Sequence, residues 1–266
     1  MKVYISTDIE GIAGITAPEE TDPSHKDYPR FAKRMSREVA AACEGAVAAG
    51  ATDILVKDAH WTGRNIDDEM LPRQARLHRS WSGHPHAMMD GIDDSFAAAL
   101  YVGYHARAGT GGNPLAHTKS GGLVQEMKIN DISTSEFRLS AFTASMHGVP
   151  SVFLSGDQAL CEEVNGYCDG IGTYATMVGQ GSATTSVHPD VAVDAIRAGV
   201  EKSLSGDLDR LLVANPERFK VAIEYKKASL AYRRGFYPGA YVENDRIVCF
   251  ETTDWFEALR FIVFVI

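Results

Sequence analysis

The chain has 266 residues, 45% hydrophobic and 23% charged, the composition of an ordinary globular protein with room for one large α/β domain or a domain plus a smaller lobe. Its formal net charge of -9 argues against a general affinity for nucleic acid or anionic lipid, both of which want a basic surface. No window approaches the ~20 apolar residues of a membrane span, and the N-terminus lacks a basic region followed by an apolar stretch, so a cytoplasmic location is expected.

Strands alternate with helices from the start. "KVYIST" is β-branched and aromatic enough for a strand, and it leads into Asp8 and Glu10. Between 28 and 49, Phe31, Met35, Val39, Cys43 and Val47 form one apolar helical stripe that Gly50 stops. "DILVKD" and "AAALYVGY" are the next strands, and "LVQEMKIND" is a strand running into an Asn130-Asp131 turn. "STSEFRLSAFTASMHG" opens with hydroxyl caps and ends at Gly148, which predicts a helix punctuated at both ends. "SVFLSGD" is a further strand, with a short helix from about Gln158.

Pro189 and Asp190 start a helix whose Ile196, Val200 and Leu204 share a face. "FKVAIEY" alternates strictly and predicts a half-exposed strand, "RIVCFE" another, and "TTDWFEALRFIVFVI" a closing helix capped by Thr253 or Asp254 and packed into the core. The change in strand character predicts an α/β domain over 1–190, with a mainly parallel sheet flanked by helices, and a smaller C-terminal α/β lobe over 191–266. Cys43, Cys161, Cys168 and Cys249 form no CxxC pair or zinc-ribbon spacing and read as reduced, buried thiols.

Ionised carboxylates stay buried only when paired, hydrogen-bonded or bound to a metal, and the chain repeats one event three times. "VYISTDIE" leaves its strand into Asp8 and Glu10, "ILVKDAH" into Asp58 and His60, and "LYVGYH" into His105. In a parallel α/β sheet those strand ends share one edge, where ligands bind. Glu136 in the first turn of its helix and His117 from the loop "GTGGNPLAHT" would join them. Each has a plainer reading alone: Asp8 as a cap or ion-pair partner, His60 as a loop residue, His105 as a satisfied core histidine, and Glu136 as a complement to the helix dipole. Together, Asp, Glu and His without cysteine form the ligand set of zinc or a similar divalent ion in a hydrolytic site, with enough ligands for two metals sharing a carboxylate.

"STDIEG" at 6–11, "DAH" at 58–60, "GYHAR" at 103–107, His117, "INDISTSE" ending at Glu136 and "SGD" at 155–157 resemble, in order, the successive motifs of the DppA-type zinc D-aminopeptidases. The match covers roughly 1–190, with the remainder consistent but vaguer. The resemblance implies two zinc ions per subunit held by Asp8, Glu10, His60, His105 and Glu136, with Asp8 bridging and His117 as a catalytic group. It also implies a homo-oligomeric ring, a decamer in the best-known member, enclosing its active sites, and short peptide substrates with an N-terminal D-residue, such as D-Ala-D-Ala.

The expected reaction is metal-assisted amide hydrolysis, with His117 moving a proton or stabilising the oxyanion. Asp58 and Asp157 would orient ligand imidazoles or backbone amides, with a helix cap the equal alternative for Asp157. Two departures bear on substrate choice: Gln158 follows Asp157 where the family commonly has an acid, and residues 170–196 lack the Lys and Arg that relatives carry near 175–182. A dinuclear amidase or esterase with another substrate is therefore the alternative, and a non-catalytic peptide-binding protein a more distant one. His84 and His86 in "SGHPHA" match no family position and are expected to hold no zinc.

Overall fold

In the computed structural model, which describes residues 1–266, the opening run is strand β1 (Lys2–Thr7), and its Val3, Tyr4 and Ile5 are fully buried. Burial on both faces is what a central parallel strand requires. Helix α1 (Tyr28–Ala48) follows, then β2 (Asp53–Asp58), β3 (Ala75–His78) and β4 (Ala98–Tyr104). Next come the hairpin strands β5 (Val124–Ile129) and β6 (Ile132–Ser133), and helix α2 (Glu136–Met146). Strand β7 (Ser151–Asp157) and α3 (Gln158–Asn165) precede β8 (Gly172–Gln180), β9 (Ala183–Ser186) and α4 (Pro189–Leu204). The chain closes with β10 (Phe219–Tyr225), α5 (Ala228–Arg234), β11 (Tyr241–Asn244), β12 (Ile247–Thr252) and α6 (Trp255–Val265).

The first sheet has seven strands in the order β3-β2-β1-β4-β7-β8-β9, parallel except for the β8/β9 pair. After β3 the chain returns to the other side of β1. The carboxyl ends of β1 and β4 therefore flank a topological switch point, where α/β sheets open a crevice. The second sheet has five strands, β11-β12-β10-β5-β6, all antiparallel. Its hairpin turns at Asn130 and Asp131, both in the left-handed region (φ 51° and 64°), as the sequence predicts.

The α1 stripe of Phe31, Met35, Val39 and Cys43 is buried and packs with Ile196, Val200 and Leu204 of α4 over one face of the first sheet. On the opposite face Phe137, Ala141 and Ala144 of α2 meet Tyr4, Tyr101 and Leu154. The other side of α2, with Leu139 and Phe142, packs against β5, β10 and α6, where the Trp255 indole donates to the Thr143 hydroxyl at 3.0 Å. Helix α2 is thus buried between the two sheets. That position carries its first residue, Glu136, inside the protein.

The lobe expected from residue 191 onward differs from either sheet. The second sheet takes β5 and β6 from the middle of the chain, because Ile129 and Met127 pair in register with Val221 and Ile223. Helix α4 goes the other way, since its apolar face completes the layer that α1 begins. The sequence reading also lacks β3, β6, β8, β9, α5 and β11. The closing helix is core on one face, with Phe261 and Ile262 buried, while Phe264 on the other is exposed.

Candidate metal centre

Asp8 leaves β1 at the switch point. Its backbone N–H donates to the Val102 carbonyl at 2.8 Å, and that of Gly11 to Gly103 at 2.9 Å, drawing the loop after β1 against the end of β4. Two glycines permit the approach. A Cβ on Gly103, which has φ +74°, would lie 2.3 Å from the Asp8 carbonyl oxygen, and one on Gly11 would lie 1.9 Å from that of Tyr104.

His60 follows β2, His105 follows β4, and Glu136 opens α2 behind the Ser135 cap, whose hydroxyl accepts from the Arg138 N–H at 3.3 Å. All five predicted ligands converge, and all are buried. His60 Nδ1 lies 3.3 Å from Asp8 Oδ1 and 3.2 Å from Glu10 Oε2. His105 Nε2 lies 3.4 Å from Asp8 Oδ2 and 3.7 Å from Glu136 Oε2. Two overlapping groups able to hold an ion result, Asp8/Glu10/His60 and Asp8/His105/Glu136, and a third joins Glu10, His105 and His117. Half-buried His117 stacks on His105 with ring centres 4.4 Å apart, and its Nε2 is 3.7 Å from Glu136 Oε1.

Backbone carbonyls set which nitrogen faces the centre. His60 Nε2–H donates to Thr21, His105 Nδ1–H to Ala106 and His117 Nδ1–H to Leu115, each at 2.9 Å, tautomers that follow from the only acceptor each nitrogen has. The opposite nitrogen of each ring points inward, where loss of its proton would offer a lone pair to a metal ion, the arrangement of a metal-ligating histidine. His105 Nε2 and Glu10 Oε2 are buried with no hydrogen-bond partner. In the metal-free protein burial opposes charge on His60 and His105, yet carboxylates raise both well above the usual histidine range, chiefly Glu10 for His60 and Asp8 for His105. Burial likewise opposes ionisation of Asp8, but His105 and His60 hold its carboxyl well below the usual range. The donor set and its orphaned atoms fit divalent metal ions.

A second ring of residues holds these loops. Asp58 accepts from the Asn65 and Ile66 backbone N–H groups, and the Asn65 amide donates both to Asp58 Oδ1 and to the His60 carbonyl, each at 2.7 Å. Asp58 therefore steadies His60 through its backbone. Asp157 fills both roles expected of it: it caps α3 by accepting from Leu160 N at 2.9 Å, and it accepts from Ala106 N at 2.7 Å, beside His105. Asn113 bridges Asp157 to the Glu10 carbonyl. Neither Asn65 nor Asn113 was singled out from the sequence. His84 and His86 pair with each other and with His147, away from the centre.

The centre opens into a cleft of about 720 Å³ whose walls include Trp61, Trp81, Met88 and Leu115. A more apolar cleft of about 600 Å³, lined by Arg138, Tyr167 and residues 210–216, contains none of the metal-ligating groups. With this geometry in place, a family model for D-aminopeptidases matches residues 1–264. The chain belongs to the D-aminopeptidase family. The D-aminopeptidase of Bacillus subtilis strain 168 is 30% identical over 262 residues, covering 98% of this chain and 94% of that protein. The solved Zn-dependent D-aminopeptidase DppA from Bacillus subtilis, described as a self-compartmentalizing protease, superposes with a TM-score of 0.93 at 28% identity, covering 100% of this chain and 96% of that one. The expected fold class and enzyme class both hold: this family member is a mixed α/β metal-dependent aminopeptidase, a hydrolase.

Proposed function

We propose that the protein releases N-terminal D-residues from short peptides such as D-Ala-D-Ala, using two zinc ions held by Asp8, Glu10 and His60 on one side and Asp8, His105 and Glu136 on the other. The observation that carries this reading is the division of Asp8: Oδ1 faces His60 and Oδ2 faces His105, as a bridging carboxylate would. Zinc in such a site polarises a scissile carbonyl and lowers the pKa of a water toward neutrality. The protein's own groups supply the rest. His117 donates through Nδ1 to Leu115, so its bare Nε2 accepts a proton in the cleft and returns it to the leaving amine, which favours proton transfer over oxyanion donation. Glu136 is steadied by the Lys119 N–H at 2.6 Å.

The self-compartmentalizing relative supports a homo-oligomer here, and the resemblance in sequence supports a decamer with its active sites inside. No helix is long and apolar enough to cross a membrane. Four free, buried cysteines support a reducing, cytoplasmic setting. A panel of D- and L-aminoacyl amides, dipeptides and simple esters tests the activity. Preferential release from D-dipeptides is the expected result; equal rates on L-peptides, or turnover of esters alone, would replace the reading with the amidase or esterase alternative.

A further inference from the structure

The cleft is lined by groups of both signs. Asp8, Glu10 and Glu136 lie at the candidate metal centre, while Lys119 and Lys226 line the same cleft. Residues 170–196, where relatives' basic residues were expected, contribute nothing to its lining. Lys226 comes from the second sheet and is tied to the loop by its ammonium, which donates to the Gly121 carbonyl, and by its backbone N–H, which donates to Leu123.

Lys119 is the less expected of the two. Its backbone sits at φ +64°, in the left-handed region that favours glycine, and this conformation directs its N–H onto Glu136. Glycine would place the same N–H with less strain, so the N–H alone does not account for a long cation here. Lys119 is half-buried and its ammonium has neither a hydrogen bond nor an ion pair; burial lowers its pKa, and the field of Glu136 and Asp8 opposes that. Once metal ions neutralise those carboxylates, Lys119 faces the cleft as a partly desolvated cation without a counter-charge. An aminopeptidase substrate with a free carboxyl terminus brings the missing anion.

We propose that Lys119, with Lys226 beside it, is the subsite for the C-terminal carboxylate of the substrate, making the preferred class short free peptides rather than C-terminally blocked or long ones. The inference rests on the aminopeptidase reading above. In it the peptide lies in the cleft, amine toward the carboxylates and carboxylate toward the lysines. Trp61 and Trp81, joined by a 2.7 Å hydrogen bond from the Trp81 indole to the Trp61 carbonyl, flank the path.

The test compares kcat/KM for D-Ala-D-Ala and its C-terminal amide in the zinc-loaded wild type, Lys119→Met, Lys119→Arg and Lys226→Met. The wild type is expected to favour the free acid by about tenfold to a hundredfold, the scale of a charge-assisted contact. Lys119→Met should collapse that preference, mainly through KM for the acid, Lys119→Arg should keep most of it, and Lys226→Met should lower it. Equal wild-type rates on acid and amide would overturn the subsite and leave the aminopeptidase standing. The same loss on both substrates in Lys119→Met would also overturn it, pointing to disturbance of Glu136. No turnover of either by the zinc-loaded wild type would sink the aminopeptidase reading and the subsite with it.

Discussion

Glu10 Oε2 and His105 Nε2 are buried without a hydrogen-bond partner, and each such group costs on the order of 1–3 kcal/mol unless something meets it. Three carboxylates around two inward-pointing imidazole nitrogens make divalent metal ions the natural complement. His60→Ala and His105→Ala are accordingly expected to lower kcat/KM by about a thousandfold and to reduce bound zinc, measured together on one preparation. Full activity with metal retained would remove these residues from the ligand set. Exchanging His84 and His86 together for Ala should leave zinc content unchanged, since their rings face each other and His147. Asp8, Glu10, His60 and His105 were legible because they follow buried strands at their carboxyl ends, and Glu136 because it opens a capped helix. Asn65 and Asn113 were not, because their roles lie in hydrogen bonds that close only in the fold; Asn113 reaches the carbonyl of Glu10 across 103 positions.

At the scale of elements, strands β1, β2, β4 and β7 were readable from continuous apolar runs, and α1 and α4 from their stripes. Strand β8 was not, because its first four residues are half-exposed and include glycine and threonine, which leave no clear period. Strand β11 is exposed throughout, and β3 has only four residues on a sheet edge. Helix α1 carries a further consequence in Glu38. Its Oε1 accepts from Ala13 N at 2.9 Å, its Oε2 has no partner, and burial pushes the carboxyl up to about 8 despite Ala13, Arg34 and Arg37. Because the folded pKa is raised, the folded state keeps a proton that the unfolded chain releases above its ordinary value of 4.5. Stability from this group is present in full below that value and is lost as pH rises toward 8. Glu38→Gln should therefore raise Tm at pH 8, by about 1–3 kcal/mol in stability, with the difference shrinking toward pH 4.5. A gain that does not change with pH would contradict the assignment.

At the scale of the molecule, the two sheets serve one cleft: the first supplies Asp8, His60 and His105, the second supplies Lys226, and α2 between them supplies Glu136. The sequence pointed to the rim of the first sheet but not to the second sheet's share, because the β5 and β10 partners are 90 positions apart where Asn130 N meets the Lys220 carbonyl. Tyr232 and Phe236 are each 72% exposed and Phe264 is 69% exposed, apolar area of the kind that self-association buries. Light scattering should give a mass several times the 28.9 kDa subunit; a monomer at working concentration would contradict the compartment. The central claim is tested most directly by zinc per subunit in protein isolated without chelator, followed through chelation and restoration alongside D-alanine release from D-Ala-D-Ala. The account predicts about two zinc ions, with metal and activity lost and regained together. Undiminished D-alanine release from protein stripped of metal would contradict it.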